Sequence, residues 1–557
     1  MRGHRASAVL RWCALGLLGS SPTVCLAGGF EDLAASAAEV GGAGGHAGPP
    51  NILLLFPDQW RYDWDGFHTS PGGDIPLHVP TVKKLASQGV RFTQAYVPTP
   101  LCAPSRSALA SGREYDRTGV PSNDYDYPVE QTTFYSLLRA SGYHTMTVGK
   151  DDLTMKSQLG SKNGYPGCPE CRPGDGLYHQ AALGFSDALR STGKKAVLET
   201  FSPHEMYGFW LHNQTVVTER GTATNAWEAY FACMLFSLRH LCDKKTFTDD
   251  LYEDNWTAEN ALKLLRRRPR DRPFFLHVSF PGPHSPFLVT ASMRAQVSDG
   301  RVWPNATDSN NRVTRGGVCD PTDEPTKQNS RCNYAAEIEN LDRLFQVLLD
   351  EVESQGELTN TLIVVTSDHG EMLGDHDLTG KTKPWQGSVS VPLIVVGPGV
   401  LKGGVVDRPV GTLDLAGTFL DFAGVSRADH MTTVSMKSLL TTGKALPYRE
   451  FVSSGLDNFR VVIKEIGGVS YKYVCCHGRC PGPPSTAPPV SESGWMEMLI
   501  DVRADPFDMH DLSTEKPTIV GALRLLLPQE GYSGNFTAGC ATISHKPKEL
   551  TNTSIFV

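Results

Sequence analysis

Side chains that commonly bind metal ions follow two strongly apolar runs of this sequence. Asp58 and Gln59 come directly after the first run, and Asp368 and His369 come directly after a later one. Because ligands of open α/β sheets gather at the carboxyl ends of the strands, we expect these four side chains to lie close together. Carboxylate, amide and imidazole ligands suit a hard divalent ion that keeps one side open for an oxygen of a substrate or nucleophile. Gln59 brings no charge, and capping of the backbone is an alternative role for it.

Two more apolar runs end in polar residues. Lys150 and Asp152 follow the run 143–148, and His284 follows the run 274–280. Any one of these residues alone has an ordinary explanation as a strand cap or a surface residue. Four strand ends that carry such residues together predict an active site along one edge of a sheet.

The segment that decides the chemistry runs from Cys102 to Arg113 and reads CAPSRSALASGR. It resembles the signature C-x-P-S-R-x-x-L-x-(S/T)-G-R of the sulfatase family at every specified position. Pro104 suits the first turn of a helix, and the N-terminus of that helix would direct free N–H groups and the positive end of its dipole at an anion. A disulfide-bonded cysteine at the start of a helix is another explanation for Cys102, but it does not account for the other matches.

The resemblance extends over residues 50–513. Besides the signature it rests on five segments. Two of them look like the family's metal-binding segments, NILLLFPDQ and SDHGEMLGDH. The others are FPGPHSPF with the family's histidine, GKTKPWQGSVSVPLIVVGPG with its lysine, and LIDVRADPFDMHDLS, which looks like the usual tail. The resemblance implies a sulfuric ester hydrolase with an alkaline phosphatase-like fold.

It also implies an unusual nucleophile. In the sulfatase family a dedicated formylglycine-generating enzyme reads the C-x-P-S-R element and oxidises its cysteine, here Cys102, to an aldehyde. The hydrated aldehyde attacks sulfur, and its second hydroxyl group then expels the sulfate, which a thiol could not do. The substrate would be a sulfated small molecule or glycan, with aryl, carbohydrate and choline-type sulfates all open.

The resemblance further assigns roles to single residues. The metal ligands would be Asp58, Gln59, Cys102, Asp368 and His369, with Gln59 where many members have a second aspartate; the other catalytic residues would be Arg106, Lys150, His284 and Lys381. Lys150, His284 and Lys381 would contact the sulfate and the bridging oxygen, and Arg106 would stabilise the nucleophile and the metal site. The ion would be Ca²⁺, since the resemblance is to secretory-pathway sulfatases, with Mg²⁺ as the alternative.

Two positions depart from the family pattern. Many sulfatases have a histidine two residues after the lysine, but here Lys150 is followed by Asp151 and Asp152. Asp152 could help to eliminate sulfate as a base, could bind a cationic or hydroxylated part of the substrate, or could cap a helix, because Asp is a favoured cap. Gln386 stands where a glutamate is usual.

Two other functions are compatible with these motifs. One is hydrolysis of phosphodiesters or phosphonates by a member of the same superfamily. The other is a secreted binding protein that kept the fold and lost the reaction, which requires an unmodified Cys102 and no metal. The near-complete set of charged site residues argues against this last alternative.

The elements that must position these residues alternate between strand and helix from about residue 50. Five apolar, strand-like runs favour a large, mostly parallel sheet sandwiched by helices; they are 51–56, 143–148, 274–280, 361–367 and 392–397. Apolar residues at helical spacing over 334–352 predict a helix that packs on this sheet. Shorter runs after residue 445 and a helix over 517–527 predict a smaller α+β domain with an antiparallel sheet.

The domain organisation expected from these patterns has four parts. They are a signal peptide over 1–27, a flexible leader over 28–49, a catalytic domain over 50–444 and a C-terminal subdomain over 445–557. The irregular stretch 153–250 is interpreted as an insertion over the sheet.

The N-terminus and the cysteines predict the secretory pathway, with an extracellular or lysosomal destination. Basic residues, a short apolar run and small residues up to Ala27 are typical of a cleavable signal peptide, and the run is too short to span a membrane. Of the 13 cysteines, ten remain when Cys102 and the two in the signal peptide are set aside, which is enough for five disulfides in an oxidising compartment.

Glycosylation sequons occur at Asn213, Asn255, Asn305, Asn535 and Asn552. The formal net charge of −8 gives no basic footprint for nucleic acid.

Overall fold

The computed structural model describes most of the chain after residue 47. The described residues are 48–70, 73–150, 152–154, 176–195, 197, 206–218, 221–234, 246–308, 310, 312, 316–320, 326–443, 448–478, 480, 490–491 and 494–527. The predicted signal peptide, all but the last two residues of the predicted leader, and much of the predicted insertion, with Cys168 and Cys171, therefore lie outside the described residues.

Strands and helices alternate along the described chain. The strands are β1 Asn51–Leu55, β2 Thr69–Ser70, β3 Gly73–Asp74, β4 Val90–Tyr96, β5 His144–Lys150, β6 Asp187–Ser191, β7 Thr215–Val217, β8 Ala223–Asn225, β9 Phe274–Ser279, β10 Val302–Trp303, β11 Gly317–Val318, β12 Thr361–Thr366, β13 Ser390–Val396, β14 Gly404–Val406, β15 Val410–Gly411, β16 Val452–Leu456, β17 Phe459–Ile466, β18 Val469–His477 and β19 Trp495–Asp501. The helices are α1 Pro80–Gln88, α2 Cys102–Ser111, α3 Phe134–Ala140, α4 Gly176–Leu183, α5 Met206–His212, α6 Ala226–Met234, α7 Glu253–Arg267, α8 Ala291–Val297, α9 Lys327–Ser354, α10 Gln386–Val389, α11 Asp414–Phe422, α12 Lys437–Thr442 and α13 Pro517–Arg524.

A nine-stranded sheet forms the centre of the fold. Its strand order is β14, β4, β13, β12, β1, β9, β5, β6, and β15 also pairs with β4. The block from β12 to β6 is parallel, which confirms the predicted mostly parallel sheet. The run 392–397 was expected in the parallel sheet, but β13 pairs antiparallel with both neighbours. The segment 367–389 contains only short helical turns and the four-residue helix α10 and no crossover helix, so the chain re-enters the sheet at the end where β12 finishes.

Both faces of the sheet are covered by helices. Leu53 and Leu55 of β1 join a core with α1, α7 and α9, and Ile52 and Leu54 join a second core with α2, α3 and α11. This division follows from the alternation of side chains along a strand. The helix predicted over 334–352 is confirmed within α9, which buries its apolar face in the first core.

The predicted C-terminal antiparallel sheet is also present. Strands β16 to β19 form a four-stranded antiparallel sheet in sequence order. Val520 and Leu523 of α13 pack on one face with Tyr473 and Leu499. The other face shares a core with residues of the large sheet and its loops, among them Trp385. The boundary at residue 445 stays a prediction.

The described cysteines agree with an oxidised protein. Disulfides join Cys319 to Cys332 and Cys476 to Cys480, and Cys233 and Cys475 are also disulfide-bonded. Cys102 is the free cysteine of the described chain. The alternative that Cys102 forms a disulfide is therefore not supported.

One expected glycosylation site is wrong in this fold. Asn255 lies buried in α7, and its side-chain amide donates a hydrogen bond to the carbonyl oxygen of Asp249 at 2.6 Å. A buried, hydrogen-bonded amide leaves no room for a glycan.

None of the described helices is long and apolar enough to cross a membrane.

A buried ion pair connects the C-terminal sheet to the segment before β13. Lys472 Nζ on β18 lies 2.5 Å from Asp508 Oδ1, and both side chains are almost completely buried. Asp508 also accepts a hydrogen bond from the backbone N–H of Gln386 at 2.6 Å, and Lys472 donates to the Pro384 carbonyl at 3.3 Å. These contacts fix the end of the segment that carries Lys381.

We expect Asp508→Ala to lower the free energy of unfolding by about 3–5 kcal/mol, because it leaves the buried ammonium of Lys472 without its partner. The double variant Lys472→Met/Asp508→Asn removes both charges, keeps an acceptor for the Gln386 N–H and suits the φ of +58° at residue 508, so it should recover much of that loss. Urea unfolding of the three proteins measures both effects. Equal losses in the single and double variants would contradict this account of the pair.

Candidate active site

The carboxyl ends of four neighbouring parallel strands meet at one edge of the sheet. The strands β12, β1, β9 and β5 lie side by side in this order. Asp368, Asp58 and His284 follow the first three, and Lys150 is the last residue of β5. The structure thus brings together the polar strand ends that the sequence analysis singled out.

The deepest part of the site is a cluster of possible metal ligands. Donor atoms of Asp58, Cys102, Asp368 and His369 all lie within 4.8 Å of one another, and all four residues are buried. His369 Nε2 is 3.2 Å from Cys102 Sγ. Burial lowers the pKa of His369 to about 4, so its imidazole is neutral at physiological pH, the form that binds metals.

Asp58 is ionised despite its burial. Burial opposes its charge, but Lys150 and the other cations around it hold the pKa of this carboxyl well below its ordinary value. Lys150 Nζ contacts Asp58 Oδ2 directly. A fully buried carboxylate of this kind requires such compensation.

Two oxygens of the cluster support a bound cation. Asp58 Oδ1 and Gln59 Oε1 are buried and have no hydrogen-bond partner among the described residues. Buried polar atoms without a partner are costly, and a cation would satisfy both. Two carboxylates, an amide oxygen and a neutral imidazole form a donor set that fits a divalent ion.

Gln59 is held in a strained conformation. Its φ of +70° lies in the left-handed region, which a non-glycine residue seldom occupies. Its backbone N–H donates to Asp368 Oδ1 at 3.0 Å, and its side-chain amide donates to Glu371. These bonds fix the amide and leave Oε1 as its unsatisfied atom, which favours the ligand role over the capping role.

Helix α2 presents Cys102 at its first position. Leu101 before it gives no side-chain cap, and the backbone N–H of Ala103 donates to Asn123 Oδ1 at 3.0 Å. Cys102 and Ala103 both line the cavity above the cluster. The positive end of the helix dipole therefore faces the place where an anion would bind, as the sequence analysis expected.

Arg106 connects the helix to the cluster. Its guanidinium contacts Asp368 Oδ2 at 2.8 Å and Asp58 Oδ2 at 3.3 Å. It also donates to the Lys150 carbonyl at 2.9 Å and to Ser279 Oγ at 2.5 Å. These contacts place its charge on the carboxylates, so its effect on residue 102 is exerted through the cluster.

Two ammonium groups contact residue 102, and His284 contacts one of them. Lys381 Nζ lies 2.8 Å from Cys102 Sγ and 2.7 Å from His284 Nε2, and Lys150 Nζ lies 3.6 Å from Sγ. His284 Nδ1 faces the carbonyl of Ser285, so this nitrogen carries the ring proton and Nε2 accepts from Lys381. Burial and the charge of Lys381 hold the pKa of His284 well below its ordinary value.

Asp152 pairs with Lys150. Its Oδ2 lies 3.1 Å from Lys150 Nζ and 3.9 Å from Arg106 Nε. The described residues 152–154 contain no helix, so the helix-cap reading of Asp152 has no support there. Its φ of +51° is another strained backbone at the site.

Sequence reasoning missed the groups behind His284. Lys194 Nζ donates to the His284 carbonyl at 2.9 Å and to Glu337 Oε2 at 2.7 Å, with both side chains nearly fully buried. Asp254 Oδ1 accepts the backbone N–H of Gly282 at 2.8 Å. These bonds hold both ends of the turn that carries the imidazole.

The central sheet with helices on both faces has the alkaline phosphatase-like fold. The model of the family described as Sulfatase matches residues 50–425. The chain belongs to the sulfatase family.

Curated relatives agree with this assignment. The chain is 27% identical over 416 residues to an arylsulfatase of Clostridium perfringens, with 70% of this chain and 78% of the relative covered. It is 27% identical over 482 residues to a choline-sulfatase of Rhizobium meliloti, with 84% and 83% covered.

Solved structures share the fold. A protein in complex with its substrate D-glucosamine-2-N,6-O-disulfate aligns with a TM-score of 0.61 at 18% identity, covering 90% of this chain and all of the other. The phosphonate monoester hydrolase of Agrobacterium radiobacter aligns with a TM-score of 0.60 at 20% identity, covering 86% of this chain and 95% of the other. At these identities the likeness concerns the fold alone.

We expect chelation to lower the melting temperature of the protein, because Asp58 Oδ1 and Gln59 Oε1 would lose a bound cation. An ion present at 100 times its Kd stabilises the folded state by about 2.7 kcal/mol. Thermal unfolding with and without chelator measures the loss, and readdition of Ca²⁺ or Mg²⁺ compares the two ions. The variant Asp58→Asn should show little shift, and an unchanged melting temperature in the natural chain would refute the metal site.

We also expect the double variant Lys194→Met/Glu337→Leu to fold, because it removes both polar partners of the buried pair together. It should lower kcat about 10–100-fold, since the turn that carries His284 loses its support and small misplacements are costly. Sulfate-release kinetics measure this effect, and Lys194→Arg should retain most activity.

A control separates positioning from a general loss of structure. In a His284→Ala background the same double substitution should change kcat little, because the group it positions is absent. A full further loss in that background would show that the pair does not act through His284.

Proposed function

We propose that this sulfatase cleaves sulfate monoesters through a formylglycine made from Cys102 by the formylglycine-generating enzyme. The main support for this proposal is the position of residue 102 at the N-terminus of α2, beside Lys381, Lys150 and the cluster of possible metal ligands. Burial raises the pKa of the encoded thiol to about 11, so the unmodified side chain is a poor nucleophile at neutral pH.

The nucleophile and the metal supply the chemistry that ordinary side chains lack. A hydrated aldehyde at position 102 offers one hydroxyl to attack sulfur and a second to expel the sulfate afterwards. We propose that Asp58, Gln59, Asp368 and His369 hold a divalent ion beside it, Ca²⁺ with Mg²⁺ as the alternative. Such an ion lowers the pKa of the attacking hydroxyl and binds a sulfate oxygen.

The lysines and His284 act on the sulfate and the leaving group. Lys381 is placed to stabilise the bridging oxygen, because its ammonium reaches both residue 102 and His284. The proton that the departing alcohol needs comes from this Lys381–His284 pair. Lys150 supports the opposite side of residue 102, and a well-placed donor of this kind contributes about 10²–10³ in rate.

Arg106 and Asp152 act through their neighbours. Arg106 fixes the carboxylates of Asp58 and Asp368 in place and balances their charge. Of the roles considered for Asp152, its contact with Lys150 favours the positioning of that ammonium.

The cellular setting belongs to the same proposal. The signal-like N-terminus predicts entry into the secretory pathway, and the described disulfides support an oxidising compartment. We propose an extracellular or lysosomal destination.

Mass spectrometry of the tryptic peptide Phe92–Arg106 tests the modification. Protein secreted by a eukaryotic host should carry an aldehyde at residue 102, and a control sulfatase from the same host verifies that the host modifies such sites. An unmodified thiol in this chain beside a modified control would overturn the formylglycine mechanism.

Cys102→Ala should abolish turnover of p-nitrophenyl sulfate while the melting temperature stays near that of the natural chain, because the substitution removes the nucleophile and changes little else. The natural chain should hydrolyse p-nitrophenyl sulfate in preference to bis-p-nitrophenyl phosphate. Retained activity in Cys102→Ala would exclude residue 102 as the nucleophile, and the reverse preference would favour a phosphodiesterase.

A further inference from the structure

The cavity above Cys102 is lined by more positive charge than one sulfate group requires. It encloses about 360 Å³, and Lys150, Lys194, Lys195 and Lys381 all line it. Asp152 is the carboxylate among its described lining residues. Charge of one sign in a concave site concentrates ligands of the opposite sign.

Three of the four ammonium groups already contact other residues of the site. Lys150 pairs with carboxylates, and Lys381 is engaged with residue 102 and His284. Lys194 donates to Glu337 Oε2 and to the His284 carbonyl.

Lys195 differs from these three. It is exposed at the rim of the cavity, and no ion pair or hydrogen bond of its side chain occurs among the described residues. It therefore offers a full charge to whatever enters the cavity.

The turn that carries Lys195 is held firmly against the catalytic residues. The neighbouring Lys194 is anchored to Glu337 and to the His284 carbonyl. Gly193 has a φ of +83°, and a Cβ there would lie 2.8 Å from Cδ of Lys150. The absence of a side chain at Gly193 thus lets the turn pack on the stem of Lys150, two residues before Lys195.

The described lining also limits the kind of molecule that fits. Apart from the ionic and polar groups it contains small apolar residues such as Ala103 and Pro281, and no Phe, Tyr or Trp side chain occurs in its described part. Flat aryl groups and quaternary ammonium groups are usually bound by aromatic side chains. A polar, anionic molecule suits this surface better.

We propose that Lys195 binds a second anionic group of the substrate, a carboxylate or a further sulfate, so that the enzyme acts on O-sulfated saccharides carrying an additional negative charge. This inference rests on the proposed sulfatase activity. It names the substrate class that the activity leaves open.

Sulfate release from matched sulfated sugars tests the inference. One set has no second anion (O-sulfated N-acetylhexosamines and hexoses), a second set carries an N-sulfate, and a third carries a uronate carboxylate, each sulfated at the different ring positions. We expect the natural chain to favour at least one anionic set over the neutral set by about tenfold or more in kcat/KM. The two anionic sets distinguish sulfate from carboxylate.

The variant Lys195→Gln should reduce this preference to about twofold or less, while activity on neutral substrates and p-nitrophenyl sulfate stays near that of the natural chain. Lys195→Arg should retain the preference, and added salt should weaken it because the contact is exposed. Lys402→Gln changes an exposed lysine outside the cavity lining and should alter nothing.

The outcomes separate this inference from the proposed function. Three results would each overturn the role of Lys195 and leave the proposed sulfatase activity standing. They are equal use of neutral and anionic sugars, an equal loss of activity on all substrates in Lys195→Gln, and hydrolysis of p-nitrophenyl sulfate with no sugar turned over. No hydrolysis of any sulfate ester by protein that carries the aldehyde would overturn the proposed function itself.

Discussion

The burial of two carboxylates at the end of the central sheet is the constraint on which the rest of the site depends. Asp58 and Asp368 are completely removed from solvent. An uncompensated charge in such a place would cost several kcal/mol. Arg106 supplies the compensation from α2 and Lys150 supplies it from β5, so the helix that presents Cys102 and the strand that presents Lys150 are both held by the same charge balance. The contacts that preorganise the site are therefore the same contacts that stabilise the fold.

The C-terminal sheet contributes to the site from the other side. It supplies no described group to the catalytic cluster, but its buried Lys472 and Asp508 fix the segment 384–386, shortly after Lys381. Glu371 accepts backbone N–H groups from Leu373 and Gly380, and so stiffens the same loop at its start. A flexible lysine side chain is thus placed by rigid backbone at both ends of its loop, which favours a fixed donor geometry.

Much of this architecture could be predicted from the sequence because buried parallel strands are predominantly apolar and are followed by polar residues. The strand over 90–96 was not predicted, because its first residues alternate between buried and partly exposed positions and do not form a continuous apolar run. The direction of β13 depends on the length and course of its connection, which apolarity does not reveal. Within the site, the chemically obvious residues were found by motif, whereas the support of His284 was not. Glu337 gave one signal, a charged residue on the apolar face of a predicted helix, but its partner Lys194 lies about 140 positions away in a stretch without pattern, and only the fold pairs them.

The position of Cys102 has a consequence for the order of events in the life of the chain. Its side chain is 1% exposed, and its helix is buried along its entire length. The finished fold hides the peptide around this residue, so under the proposed mechanism an oxidising enzyme would have to reach it before the fold closes. Conversion would then compete with folding. A molecule that folded first would lack the proposed nucleophile, and the specific activity of a preparation would record the fraction of chains converted beforehand.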